Sequence, residues 1–330
     1  MHSKFIRILV FFGCLTIISS QLFCSDLLKR NHTKFHPVRH CQRSNKTRIA
    51  AKNVANLNKC IQFAEHNQAL AFNFGHGKRP RKKGDQVGDL LNLFDVKRAK
   101  EENKTKIEKD LHALEENTDP YFDCEVLSCP EVGNMSSLIN DTRFDYYTLY
   151  GYAPENSTCF PSVGLFMYYY DERMNYTEAT STCEGHRGYL ARIVSDIRTN
   201  FISFMIQQQI FDINKATVGI LQSTFNESVN VPLEIPIKHA FIGLKELRRK
   251  GNFVDSLDIP LKCFLYRAWA PKYPSEESRP GCVAITASRS WKMFDCRKRA
   301  PFICELKPTK PRRINRRKFN RRCSLKRSNN

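Results

Sequence analysis

The sequence predicts an α+β fold in two disulfide-bonded parts, a small module followed by a larger domain. Three observations lead there. The 330-residue chain carries 13 cysteines, a usage suited to an oxidising compartment. Its C-terminal half alternates apolar residues at helical spacing with short apolar runs bounded by glycine and polar turns, so helices and strands are mixed along the chain. Finally, 41% apolar and 11% aromatic residues are enough for packed cores and exclude wholesale disorder.

The N-terminus sets the compartment. Lys4 and Arg7 precede an apolar run from Ile8 to Ile18 and then Ser19 and Ser20. This is the layout of a secretory signal peptide over residues 1–20, too short for a membrane anchor. Cleavage near Ser20 removes Cys14 and leaves twelve cysteines, and cleavage after Cys24 leaves eleven. The sequence predicts a secreted, extracellular product with no membrane span. Asn31, Asn45, Asn103, Asn134, Asn140, Asn156, Asn175 and Asn226 all stand in Asn-X-Ser/Thr acceptors, which makes them glycosylation candidates.

The formal charge of +20 is uneven. Residues 1–120 hold 22 basic and 12 acidic side chains, residues 121–306 hold 20 and 21, and residues 307–330 hold 11 and none. A basic chain invites a nucleic-acid partner, but the leader removes it from nucleic acid and the middle is neutral. The predicted outcome is a basic, disordered tail over 307–330, suited to anionic polysaccharide. A second charged stretch, about residues 75–120, reads as an insertion ending in a short helix at Ile107, Leu111 and Leu114.

The elements of the larger domain follow in order. Asn175 caps a helix that buries Tyr176, Ala179 and Cys183. Gly188 to Ile193 turns into a short strand. Ser195 opens a second helix with Ile197, Phe201, Phe204 and Gln208 along one stripe. Phe241-Ile-Gly-Leu244, Cys282 to Ile285, Trp291 and Phe302 to Glu305 read as strands, with Gly243 allowing a close backbone approach.

These motifs, in this order, resemble the C-type lectin-like domain over residues 159–306. The family's aromatic-x-x-Ala-x-x-x-Cys helix matches Tyr176, Ala179 and Cys183, and its Gly-x-Leu-Ala-x-Ile turn matches Gly188 to Ile193. Phe241 to Leu244 matches its Trp-Ile-Gly-Leu strand, and Cys282, Cys296 and Cys304 match its last cysteines. The resemblance implies two helices, antiparallel sheets, a long loop, and disulfides Cys183–Cys304 and Cys282–Cys296.

Sugar-binding members of the family hold calcium through a Glu-Pro-Asn triplet and an Asn-Asp pair. Here those positions read Tyr273-Pro274-Ser275 and Lys292-Met293. Calcium takes six to eight hard oxygen ligands, so Tyr273, Ser275, Lys292 and Met293 read as a degenerate site. No cofactor and no calcium are expected, and Glu276, Glu277 and Asp295 read as loop and turn residues. Tyr266, Arg267, Lys272 and Tyr273 remain as a possible aromatic and basic ligand face, with Trp269 in the core.

In the N-terminal half, a cysteine-bearing helix (Asn58 to His66), an Ala-Phe strand (Ala69 to Phe74) and a Cys-x-x-x-x-Cys strand (Phe122 to Cys129) resemble the PAN/apple superfamily, MANSC-type branch included. This small α+β module is placed at 36–131, with 132–158 as a linker. It offers Cys41, Cys60, Cys124 and Cys129. Cys24, Cys159, Cys263 and Cys323 allow three pairings, all open. The nine histidines show no metal spacing, and no nucleophile–base arrangement stands out, so no enzyme is expected. The whole reads as a secreted recognition or adhesion protein for an extracellular protein or glycan. The alternative is a matrix or surface structural protein held on acidic polymers by its basic segments.

Overall fold

A computed structural model describes Cys24 and residues 34–75, 122–225, 239–247, 251–275 and 281–311, with side chains of the long helix given through residue 216. The leader, nearly all of the charged insertion, Glu276, Glu277, Asn31, Asn103, Asn226 and residues 312–330 lie outside them. The chain divides into two compact units, residues 35–131 with 135–148, and 149–310 with 132–134.

The first unit is an antiparallel sheet with one helix among the described residues. Strands β1 (His36–Ser44), β2 (Arg48–Lys52), β3 (Ala71–Gly75), β4 (Cys124–Leu127) and β5 (Leu138–Thr148) run in the order β1-β5-β3-β4-β2. Helix α1 (Leu57–His66) starts at Asn56, whose side chain accepts from the Lys59 amide, and buries Cys60 and Ala64. Cys60 is bonded to Cys124 of β4. Beneath the helix, Phe72 and Tyr147 stack at 4.8 Å and Phe35 meets Phe72 edge-on at 5.0 Å.

A polar cluster lies in the same sheet. Glu125 accepts two bonds from Arg43, at 2.7 and 2.8 Å, one from Arg48 at 3.2 Å and one from Asn73 at 3.1 Å. A carboxylate so buried is tolerated only with such a full set of donors.

The segment 132–158 differs from the expected linker. It contains β5, which lies between β1 and β3 in the centre of the first sheet, and β6 (Thr158–Phe160) of the second unit. The reason is burial: residues 144–148, Phe-Asp-Tyr-Tyr-Thr, are buried throughout, and this aromatic, β-branched run makes a central strand.

The second unit's sheet runs β12-β11-β9-β13-β7-β6, with β10 beside β9 and β8 beside β13. The strands are β7 (Gly164–Met174), β8 (Gly188–Leu190), β9 (His239–Glu246), β10 (Phe253–Asp255), β11 (Gly281–Thr286), β12 (Trp291–Asp295) and β13 (Ala300–Leu306). Pairing is antiparallel except between β13 and β9. Helix α2 (Tyr176–Gly185) buries Tyr176, Ala179 and Cys183, and opens with a reciprocal capping box between Asn175 and Glu178, which satisfies two otherwise orphaned donors.

Gly243 does what its position requires. Its amide donates to the Ala191 carbonyl at 2.8 Å, and any side chain there would run into the Leu190 carbonyl and Ser256. Cys183 is bonded to Cys304 and Cys282 to Cys296. Of the pairings left open, Cys24 is bonded to Cys263.

Two expectations are corrected here. Helix α3 (Asp196–Phe225) carries Ile197 and Phe204 on its outer side, exposed. Its buried side is Thr199, Ile202, Ser203, Met205 and Ile206. Small polar residues let the helix approach the sheet, as where the Ser203 hydroxyl donates to the Thr286 carbonyl at 3.2 Å. The tail, too, begins later than residue 307: the Lys307 amide donates to the Arg187 carbonyl at 3.1 Å, and the Gly151 amide to the Thr309 carbonyl at 2.7 Å.

Candidate functional site

The long loop leaves β10 at Asp255 and is described through Ser275. Its root is electrostatic. Asp255 accepts from the Leu257 and Ile259 amides, each at 2.9 Å, and from Arg192 Nε at 2.7 Å. Arg198 pairs with Glu305, which also accepts from the Tyr189 hydroxyl at 3.1 Å and the Arg192 amide at 3.1 Å. Burial, then the Glu305 charge, pushes the Tyr189 phenol far above its usual value. These two carboxylate–arginine pairs are hydrogen-bonded on several sides, the condition under which buried charges hold a site in place.

From there the loop turns through a short 3-10 stretch, Leu261–Cys263, fixed by the Cys24–Cys263 disulfide. Tryptophans close it. The Trp291 amide donates to the Ala268 carbonyl at 2.7 Å, and the Ala270 amide donates back to the Trp291 carbonyl at 2.9 Å. The Trp269 and Trp291 rings meet edge-on at 5.4 Å, and Phe253 lies 5.0 Å from Trp269.

The four candidate face residues have different surroundings. Tyr266 is half-buried, its ring edge-on to Trp291 at 5.6 Å, and its phenol is raised chiefly by burial, with its hydroxyl beside Thr199 and Asp196. Arg267 is exposed, and its guanidinium folds back onto the loop. Nη1 donates to the Phe264 and Tyr266 carbonyls, both at 2.7 Å, and Nη2 to the Leu261 carbonyl at 2.9 Å. It therefore pins the loop's own backbone. Tyr273 packs partly against the core and is joined to Pro274 by a cis peptide. Lys272 is exposed at a position of φ 68°.

Leu265, which sequence reasoning passed over, is the most exposed apolar residue described, at 103% of its reference area. An isolated Leu between aromatics carries no sequence signal that separates a core residue from a presented one.

The expected calcium positions divide in the same way. Met293 is 2% exposed and packs its thioether against Gly281. Lys292 lies on the other side of β12, opposite Ala284, where its charge acts on His239. That imidazole stacks on Phe294 at 4.1 Å, and burial, then Lys292 and Arg173, lowers its pKa. Asp295 accepts from the Arg297 amide and from its Nε and Nη2 atoms, which hold the carboxyl down at about 2. A phenol, a hydroxyl, an ammonium and a thioether do not fit calcium, which takes a shell of hard oxygens. Among the described residues no group of three His, Cys, Asp or Glu could hold a metal ion.

Residues 172–306 match the family model of the lectin C-type domain. This segment is a C-type lectin domain. Solved structures similar to the chain include human lithostathine, 18% identical with a TM-score of 0.35, covering 47% of this chain and 90% of that one. The cow C-type carbohydrate-recognition domain of CD23 is 19% identical with a TM-score of 0.35, covering 48% and 97%. The mouse scavenger receptor C-type lectin carbohydrate-recognition domain is 18% identical with a TM-score of 0.34, covering 49% and 99%. A search of curated proteins finds no match. The matched residues hold β8 to β13, the two helices and the loop, while β6, most of β7 and the first unit lie outside them. No helix among the described residues is long and apolar enough to cross a membrane.

Proposed function

We propose that this chain is a secreted recognition or adhesion protein whose lectin domain engages an extracellular protein or glycan without calcium. The observation that carries the reading is Met293. At a position where a calcium-binding member needs a carboxylate, a buried thioether closes the core over Gly281, so a metal ligand there would have to replace packing. Lys292 adds a cation at the neighbouring position.

Secretion rests on the leader and on the density of disulfides. Glycosylation is in keeping with the acceptors: Asn45, Asn134, Asn140 and Asn156 are exposed, and Asn175 is partly so. The likeness of the first unit to PAN/apple modules adds a second recognition element to the same reading. No catalytic role is proposed for a lectin domain of this kind. The eleven basic residues of 307–330, with no acidic residue among them, support retention on anionic polysaccharide as an additional contact.

Titration calorimetry of the secreted chain with calcium tests the central point. No heat of binding is expected up to millimolar calcium, and partner capture should be equal with and without chelator. Binding anywhere from micromolar to millimolar would overturn the reading.

A further inference from the structure

Just past β13 the chain meets the turn after α2, and cations gather there over aromatic rings. Helix α2 ends at Gly185 and is capped by His186, and the next residue, Arg187, stands at φ 60°. Helices commonly give that left-handed position to glycine, because a side chain there costs backbone energy. Arginine occupies it nonetheless, with its guanidinium over the Tyr152 ring at 5.8 Å. Tyr152 is 52% exposed.

The end of the domain is tied to the same place. The Lys307 amide donates to the Arg187 carbonyl at 3.1 Å, and the Gly151 amide, beside Tyr152, donates to the Thr309 carbonyl at 2.7 Å. Lys307 Nζ lies over the Tyr189 ring at 5.4 Å, and Lys307 and Lys310 are exposed. Among the described residues, Arg187, Lys307 and Lys310 have no carboxylate partner. Glu305, beneath Tyr189, is taken up by Arg198, the Tyr189 hydroxyl and the Arg192 amide. A ring holds a guanidinium in place without neutralising it, so the N–H donors of Arg187 remain for an anion, which the planar fork binds two at a time.

Charge along the chain selects that anion. Of the eleven basic residues in 307–330, two are Lys307 and Lys310, so nine follow in 312–330, with no acidic residue among them. A ligand that follows fixed cations on the domain into a run of one sign carries repeated anions along its own length. A folded acidic protein mixes both signs, whereas sulfated polysaccharide has the required form. We propose that Tyr152, Arg187, Lys307 and Lys310 form a docking surface for sulfated polysaccharide on the lectin domain, where the chain enters its basic C-terminal segment. The proposal rests on the reading that this segment engages anionic polysaccharide, and adds to it a contact built on folded residues. None of the four belongs to the long loop.

Affinity of the full secreted chain for heparin, measured across a salt series, tests this. Tyr152→Ala removes no charge and is expected to weaken binding about two- to five-fold, the range of a cation–π contact. Arg187→Gly/Lys307→Gln is expected to lower the slope of log affinity against log salt by about two, one for each lost contact. Its thermal midpoint should be no lower than the parent's, since glycine suits the left-handed position. Lys52→Gln/Lys59→Gln removes two charges from exposed positions of the first unit and is expected to leave heparin binding unchanged. Parent-like binding by both Tyr152→Ala and Arg187→Gly/Lys307→Gln overturns the docking surface and leaves the basic segment as the binder. A loss in Lys52→Gln/Lys59→Gln equal to that in Arg187→Gly/Lys307→Gln reduces the effect to net charge and overturns it too. A parent that does not bind heparin overturns the underlying reading together with the surface. Polyglutamate that binds the parent as tightly as heparin, and weakens equally in Tyr152→Ala, assigns the surface to an acidic protein and overturns the polysaccharide.

Discussion

At the scale of single residues, His239 links the sheet's electrostatics to pH. Its imidazole is partly buried, stacked on Phe294 and faced by Lys292 and Arg173, so the folded chain favours its neutral form. The unfolded chain protonates near 6.5. Stability from this group is complete above that value and is lost as pH falls through the lower folded-state value. Urea unfolding from pH 7.5 to 5 should show a declining midpoint for the parent, and His239→Gln should flatten the decline. An equal slope in both would remove His239 from the account. Arg267 illustrates the limit of reading side chains by type. Its type suits a ligand face and it is exposed, but three backbone carbonyls already take up its guanidinium, and no sequence pattern announces a carbonyl cluster.

Helix α2 shows how an element can serve two purposes through one atom pair. The Asn175 Oδ1 caps the helix by accepting from the Glu178 amide at 2.9 Å, which leaves Nδ2, the atom a glycan would use. Asn175→Ala should cost about 1 kcal/mol of stability and remove the acceptor, whereas Asn175→Asp should keep the cap and remove only the acceptor. Chemical denaturation with peptide mapping separates the two, and equal losses in both variants would sink the capping argument. Elements such as α2, β9, β11 and β13 were legible because cysteines and glycines fix their positions by chemistry. Strand β5 was not legible as part of the first sheet, since its partners β1 and β3 lie some 70 to 110 residues upstream and periodicity reports nothing about distant pairing. The stripe of Ile197, Phe201, Phe204 and Gln208 on α3 was visible, yet periodicity alone does not say which side of a helix faces the core.

For the whole molecule, charge and fold are segregated along the chain. Residues 121–306 are nearly neutral, and the excess lies in flanking segments. Because Lys307 and Thr309 bond into the second unit, a truncation that tests the basic segment should begin at residue 312. Deleting 312–330 should move elution from a heparin column to markedly lower salt, as expected when many cation–anion contacts are lost together, while circular dichroism stays unchanged. Equal retention would assign the polyanion contact elsewhere.

The position of β5 has a consequence for synthesis. As the chain emerges from the ribosome, β1, β2, β3 and β4 arrive first, yet β1 has no neighbour and β3 presents a bare edge until residues 138–148 follow. The first sheet therefore closes late, with its last-made strand entering at the middle and not the rim. A nascent chain stalled before residue 138 would carry two unpaired strand edges, an opening that invites intermolecular strand pairing. Release of the first unit into its folded form thus coincides with the start of synthesis of the lectin domain.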